Sequence, residues 1–280
     1  MKRFIFLLLM AAAFIATSCT TRYVVSGPQG GIATTITLPE GMDTTSEQCR
    51  MVVLMHGIFS SKSYTPMPRI ARQLAKAGVG SIALDFGGHG RSEGKKINMT
   101  IEKELAEARA VVDYISSRPY TADVALLGHS QGGVIASMLA GRLASEGRAP
   151  SALVLLAPGA VIKDACQAGH FFSNDFDPSD PPHHITCFGF YKVGRDYLTS
   201  SQQLDIYGTS ATYEGPVCII HGTNDNIVPL WCSERYDSLY VDSRLHLIPG
   251  EAHTMHKHLQ QTSEIITSFL KADAYSEANP

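Results

Sequence analysis

The chain is 280 residues long, 44% apolar and 18% charged, with a net charge of −3. That balance is ordinary for a globular protein with a large buried core, and the length accommodates one large domain or two small ones. No run of Lys or Arg occurs beyond the N-terminus, which argues against the basic face that nucleic-acid binding needs, and no repeat or low-complexity tract is present.

Lys2 and Arg3 precede an apolar run of thirteen residues, Phe4 to Ala16. It is too short to span a bilayer as a helix and has the build of an export signal. Ala16-Thr17-Ser18-Cys19 follows. Small residues at Ala16 and Ser18 suit signal-peptidase cleavage. A cysteine directly after a small residue also resembles a bacterial lipobox, whose cysteine becomes the acylated N-terminus. Residues 1–19 are therefore expected to be a signal peptide with Cys19 as its lipidation site, a plain secretory signal being the alternative. Residues 20–280 are expected to be the domain. Either signal places the mature protein outside the cytoplasm, in the periplasm or at the outer membrane of a bacterium, and a lipid would anchor it to a membrane rather than make it span. Export permits disulfides. With Cys19 lipidated, Cys49, Cys166, Cys187, Cys218 and Cys232 remain, so at least one thiol is free. Cys166 and Cys187 bracket one insertion and are the expected pair. No C-x-x-C spacing occurs, which removes the simple zinc and thioredoxin readings.

After a polar leader, Ile32 to Leu38 alternates like an early antiparallel strand. Met51 to Met55 is a buried strand run that ends at His56-Gly57. Pro66 to Ala77 reads as a helix with proline in its first turn. Val79 to Leu84 is another buried strand, ending at Asp85. The glycines from Gly87 to Gly94 follow it, but their spacing is one residue too long for a dinucleotide fingerprint and no helix starts there, so a tight turn is the reading. Thr100 opens a helix that stops before Pro119, with Glu102 and Glu104 in its first turn. A strand at 123–127 leads into a second helix from Val134. Strands follow at Ala152–Leu156, Pro216–Ile220 and Leu245–Ile248, and a last helix at 255–271. Strands alternating with helices imply an α/β fold with a mainly parallel sheet covered on both faces. The interval 160–211 breaks this rhythm. Its prolines and many aromatics predict an ordered lid inserted over the strand ends, where ligands bind in such sheets.

Gly128-His129-Ser130-Gln131-Gly132 matches G-x-S-x-G between an apolar strand run and a small-residue helix. A sharp turn there lifts a serine hydroxyl above the sheet edge and aims the next N–H at an oxyanion. A serine hydroxyl is a poor nucleophile without a base, and the base needs an orienting carboxylate. Asp225 follows strand 216–220 and His253 follows strand 245–248, giving the chain order Ser130, Asp225, His253. Taken alone, Asp225 reads as an Asx turn; the order and placement favour a catalytic triad. Asp205 and Glu251 are backup acids. His256 and His258 read as helix-surface residues rather than metal ligands. The expected oxyanion donors are the backbone N–H groups of Gln131 and Ile58, with Phe59 second. His56 is expected to hold that loop through its ring.

These segments, with Asp85-Phe86-Gly87-Gly88-His89-Gly90-Arg91-Ser92, Asn98-Met99-Thr100, Leu155-Leu156-Ala157-Pro158 and Phe190-Tyr191, resemble the α/β-hydrolases, and more narrowly the bacterial cinnamoyl (feruloyl) esterases, over nearly all of residues 30–271. The resemblance implies a mostly parallel central sheet with helices on both faces and an inserted lid. It implies a serine esterase that cleaves hydroxycinnamoyl esters of sugars or small alcohols, plant cell-wall oligosaccharide esters among them, without metal or organic cofactor. The family's lid forms an aromatic slot, and the matching substrate contacts are Asp164, Tyr191 and Phe59. Residues 166–187 depart from the family, which leaves acyl preference open. The alternatives are a general carboxylesterase or lipase-like enzyme for short or medium acyl chains, and a non-catalytic ligand-binding lipoprotein. Oligomeric state is not legible.

Overall fold

The computed structural model describes residues 20–276, so the expected signal peptide and the expected lipidation site Cys19 lie outside the described residues. Apolar runs without polar alternation build the centre of the sheet. Every residue of β3 (Cys49–Met55) and β4 (Gly80–Leu84) is buried, as strands covered on both faces require. Before them, β1 (Thr20–Gly27) and β2 (Gly30–Thr37) form a hairpin, and α1 (Met67–Lys76) joins β3 to β4. Next come α2 (Ile101–Ser116), β5 (Thr121–His129), α3 (Gln131–Ser145) and β6 (Leu153–Leu156). The interval after β6 holds α4 (Val161–Gln167), β7 (His170–Phe171), β8 (Asn174–Asp175), β9 (His184–Cys187), β10 (Tyr191–Gly194), α5 (Arg195–Ser201) and α6 (Ile206–Ser210). The chain closes with β11 (Val217–Gly222), α7 (Trp231–Leu239), β12 (Ser243–Ile248) and α8 (Leu259–Ser276).

Eight strands form one sheet in the order β1-β2-β4-β3-β5-β6-β11-β12. β1 with β2 and β2 with β4 are antiparallel, and the remaining pairs are parallel. Alternate side chains serve opposite faces, as the two-residue period of a strand dictates. Val52, Leu54, Ala125, Leu127, Val154 and Ile220 pack with α1 and α8. Met51, Val53, Met55, Leu126, Leu155 and Ile219 pack with α2, α3 and α7. β3 sits between β4 and β5, so the chain winds one way from β3 and returns on its other side. In open α/β sheets such a reversal opens a crevice at the carboxyl ends of the strands. The turns after β3 and β5 meet there.

The antiparallel strand, the core strands and the helix after Thr100 lie where the sequence places them. The Thr100 side chain accepts the Lys103 N–H at 3.2 Å, which caps α2. β1 is a strand where a polar leader is predicted. It is an edge strand with one buried residue, Val25, so it carries no amphipathic signal. α7 is likewise absent from the prediction, because its buried positions include Ser233 beside Cys232 and Tyr236. The predicted pairing of Cys166 with Cys187 is corrected: both are free, buried thiols. Cys187 Sγ instead accepts a hydrogen bond from Asn174 Nδ2 at 3.7 Å. Burial pushes the Cys166 and Cys187 thiols up to about 12 and 11, which makes them inert packing groups. No helix of the described residues is long and apolar enough to cross a membrane.

Candidate active site

β5 runs straight into α3 with a single residue at the corner. That residue, Ser130, has φ 56° and ψ −122°, a backbone state rarely populated by a residue with a side chain. The corner closes only because its neighbours are small. A Cβ on Gly128 would stand 2.0 Å from the Gly132 carbonyl oxygen, and one on Gly57 would stand 2.9 Å from Ser130 Cβ. Gly57 follows β3, so the turn after that strand is pressed against the serine.

Ser130 Oγ lies 2.9 Å from His253 Nε2, and His253 Nδ1 lies 2.7 Å from Asp225 Oδ2. The second contact is an Nδ1–H donating to the carboxylate, which leaves Nε2 as an acceptor for the serine hydroxyl. The three side chains come from the ends of β5, β11 and β12, so the sheet edge brings residues 123 and 28 positions apart into one chain of hydrogen bonds. Asp225 Oδ1 accepts the N–H groups of Ile227 and Val228, each at 2.9 Å. Burial alone would raise this carboxyl, but the hydrogen bonds from His221 and His253, with the charge attraction of His253, hold it well below the usual carboxylate range. The group therefore stays an anion wherever the protein is folded. Such a set can draw the proton from a serine hydroxyl and stabilise the imidazolium that results.

Several residues that sequence reasoning did not assign brace this arrangement. His221 is fully buried and approaches the same Asp225 oxygen at 3.4 Å, with Ser233 Oγ donating to its Nδ1 at 2.7 Å. His129 Nε2 donates to the His253 carbonyl at 2.7 Å, and its ring stands 4.9 Å from the His253 ring. Glu251, a backup acid in the sequence, does not orient the histidine. Its carboxylate accepts the N–H groups of Ala252, Lys257 and His258 and so shapes the loop that carries His253. Asp205 caps α6 by accepting the Gly208 N–H, away from the site. His56 holds its loop: its Nδ1 donates to the Gly57 carbonyl at 2.8 Å and its Nε2 accepts the Phe86 N–H at 3.1 Å. The His56 role is the one the sequence predicts, whereas the signal for His221 and His129 was weak, because a lone histidine beside a motif has no fixed spacing to its partner.

Gln131 is the first residue of α3, and Ile58 follows Gly57 at the facing turn. Neither backbone N–H donates to an acceptor among the described residues. Gln131 thus sits at the positive end of a helix directly after Ser130, and Ile58 borders the same space as the serine. A cleft of about 480 Å³ opens beside the serine. Ile58, Val161, Ile162, Ala165, Phe171, Phe172, Phe188 and Val228 form its apolar walls, while His170, Ser173 and Asn226 add polar groups.

A family model described as serine aminopeptidase, S33, matches residues 46–174. Est1E from Butyrivibrio proteoclasticus, solved with ferulic acid bound, superposes with a TM-score of 0.85 at 26% identity, over 90% of this chain and 99% of that one. The chain has the α/β-hydrolase fold. The mouse protein described as α/β-hydrolase domain-containing protein 10 shares the fold at a TM-score of 0.68 and 14% identity, over 90% of this chain and 99% of that one. The lysophosphatidylserine lipase of Danio rerio is 22% identical over 237 residues, 79% of this chain. The chain spans 58% of that relative's length.

All three expected substrate contacts are corrected. Asp164 does not reach the cleft. On α4, Val161, Ile162 and Ala165 share the face toward Ser130, whereas Lys163, Asp164 and Gln167 line a separate depression with Asp205 and Arg235. The 3.6-residue period puts position 164 on the other side. Tyr191 and Phe59 stack on each other at 4.5 Å, nearly parallel, and neither lines the cleft. Phe59 meets Phe172 and Phe188 at 5.8 and 6.2 Å, so it supports the aromatic wall from outside.

Buried titratable groups set the pH range of the fold. Burial pushes His56, His129 and His89 down to about 4, 3 and 3. The unfolded chain protonates histidine near 6.5, so it binds more protons as the pH falls from 6.5, and folded stability is lost through that window. Glu104 acts with the opposite sign. Burial pushes it up to about 8, so the folded state holds a proton that the unfolded chain releases above 4.5, and stability falls as pH rises toward 8. We expect the melting temperature to peak at about pH 6.5 and to drop by several degrees toward pH 4.5. Thermal melts across pH 4.5–8 test this; a flat profile contradicts it.

Proposed function

We propose that this protein is a serine carboxylic-ester hydrolase that cleaves hydroxycinnamoyl (feruloyl-type) esters through an acyl-enzyme. The observation that carries the reading is the hydrogen-bonded series Ser130 Oγ, His253 and Asp225, opening on a cleft walled by Phe171, Phe172 and Phe188. Ser130 Oγ attacks the ester carbonyl carbon while His253 Nε2 takes its proton. The carbonyl oxygen becomes an anion between the N–H groups of Gln131 and Ile58, each such donor being worth about 2.7–4 kcal/mol in related enzymes. The carbonyl re-forms, the alcohol leaves with the His253 proton, and the acyl group stays on Ser130. Water then gives a proton to His253 and its oxygen to the acyl carbon. The second tetrahedral intermediate collapses, freeing the acid and returning the proton to Ser130.

A planar aromatic acyl group suits walls of phenylalanine, where offset or edge-on ring contacts add to area burial. Est1E with ferulic acid bound has the same fold across nearly its whole length, which supports an aromatic acid at this site. His170, Ser173 and Asn226 are the polar groups available to a phenolic ring substituent, in place of Asp164 and Tyr191. Val161, Ile162, Ala165 and Val228 favour a second reading, a carboxylesterase for short or medium aliphatic chains. A rate comparison of methyl ferulate with methyl butyrate and methyl octanoate decides between them. We expect kcat/KM for the ferulate to exceed that of methyl butyrate, run as the matched alkyl ester, by at least roughly tenfold. Equal or reversed preference removes the hydroxycinnamoyl reading and leaves the esterase.

A further inference from the structure

Gln131 is held at the far end of its side chain as well as through its backbone. Its Nε2 donates to Glu104 Oε2 at 2.6 Å, and its Oε1 accepts the Tyr197 hydroxyl at 2.7 Å. Glu104, Gln131 and Tyr197 are 2%, 1% and 0% exposed. They come from three elements: Glu104 from α2, Gln131 from the start of α3, and Tyr197 from α5 of the inserted segment. The Tyr197 ring meets Phe171 edge-on at 5.6 Å, and Phe171 is a wall of the cleft. Glu104 Oε1 is buried with no hydrogen-bond partner.

The chemistry of the three triad residues makes no use of this buried polar chain. An apolar residue at each position would fill the space without an unpaired carboxyl oxygen, so stability gives the chain little reason to be there. Its geometry gives another. A glutamine side chain with both ends of its amide bonded cannot rotate, and residue 131 opens α3: the peptide that carries its N–H is held on the Ser130 carbonyl side by the Gly133, Val134 and Gly159 N–H groups, and the clamp holds the Cα side. We propose that Glu104 and Tyr197 are positioning residues, which clamp the Gln131 side chain from two sides and thereby aim the Gln131 backbone N–H at the oxyanion formed on Ser130. The inference rests on the serine mechanism proposed above. It links the inserted segment to turnover through Phe171, Tyr197 and Gln131 in series.

The charge state of the clamp follows from its surroundings. Burial keeps Glu104 neutral up to about 8, the bond from Gln131 opposes that, and the Glu107 charge one turn along α2 adds to it. From α5 the facing group is the Tyr197 hydroxyl, with the neutral thiols of Cys166 and Cys187 beyond it. Above pH 8 the carboxylate becomes an anion behind the oxyanion donor, where it repels the charge that develops in the transition state.

Tyr197→Phe and Glu104→Gln test the proposal. Each keeps the shape of the residue it replaces. Steady-state kinetics on methyl ferulate or a p-nitrophenyl ester, melting temperature and the rate of Ser130 labelling by a fluorophosphonate are measured together. The expected result is a kcat lower by roughly ten- to a hundredfold in Tyr197→Phe, since a displacement near 1 Å costs about that much, and a kcat close to wild type below pH 8 in Glu104→Gln, whose amide oxygen accepts the Gln131 Nε2–H as the neutral carboxyl does. KM should stay within about twofold and the melting temperature within a few degrees. The wild-type kcat should bend downward near pH 8, and Glu104→Gln should lose that bend. Unchanged kcat in Tyr197→Phe, or a loss that matches only the fraction unfolded, overturns the clamp while active, labelled wild-type enzyme leaves the serine mechanism standing. A wild-type protein that neither hydrolyses esters nor labels at Ser130 overturns both.

Discussion

Ser130→Ala should lower ester turnover by roughly 10⁶-fold, the scale seen when the nucleophile of a comparable triad is removed. The loss is chemical rather than structural. Alanine keeps the Cβ that already fits the corner at φ 56°, and the only bond removed is the one from Oγ to His253 Nε2. The melting temperature should therefore move by no more than about two degrees, because a single partly solvated hydrogen bond contributes about 1 kcal/mol. Fluorophosphonate labelling should disappear altogether. Turnover that survives the substitution within about tenfold would place the nucleophile elsewhere and end the case for this site.

Asp225→Asn should lower kcat by roughly 10⁴-fold with the fold intact. The amide oxygen can still accept the Ile227 and Val228 N–H groups that Oδ1 accepts at 2.9 Å, so the turn keeps its shape. The amide nitrogen then faces His253 Nδ1 across the 2.7 Å contact and donates to it. That fixes the imidazole proton on Nε2, opposite the serine, and a ring with its proton there cannot take another from Oγ. The effect is large because one atom decides the tautomer. Steady-state rates with a melt as control measure it. A variant that keeps a tenth or more of wild-type kcat would show that another group orients His253, His221 being the neighbour within reach of the same carboxylate oxygen.

The framework was legible because it depends on local chemistry. Met51-Val52-Val53-Leu54-Met55 has no polar alternation, so it reads as a strand covered on both faces, and it is one. Thr100 with acidic residues behind it reads as a helix start, and its side chain caps α2. Ser130, Asp225 and His253 were legible because each follows a strand, and parallel strands deliver their carboxyl ends to one rim. β1 was not legible, since an exposed edge strand gains its stability from backbone pairing with β2, which leaves no pattern in side chains. Within the inserted segment, aromatic content announced order but could not say which rings face the cleft.

Sequence by itself determined the order of elements, the sharp corner at Ser130 and the three residues that meet behind it, because apolar periodicity, glycine spacing and strand ends are properties of adjacent residues. Tertiary structure alone decided that Phe171, Phe172 and Phe188 wall the cleft while Asp164 turns away and Tyr191 does not line it. It alone brought Glu104 and Tyr197 onto the Gln131 amide. Those outcomes depend on how helices from distant parts of the chain are rotated about their axes when they pack. A rotation of one residue's 100° exchanges the buried and exposed faces, and only the packed core fixes it.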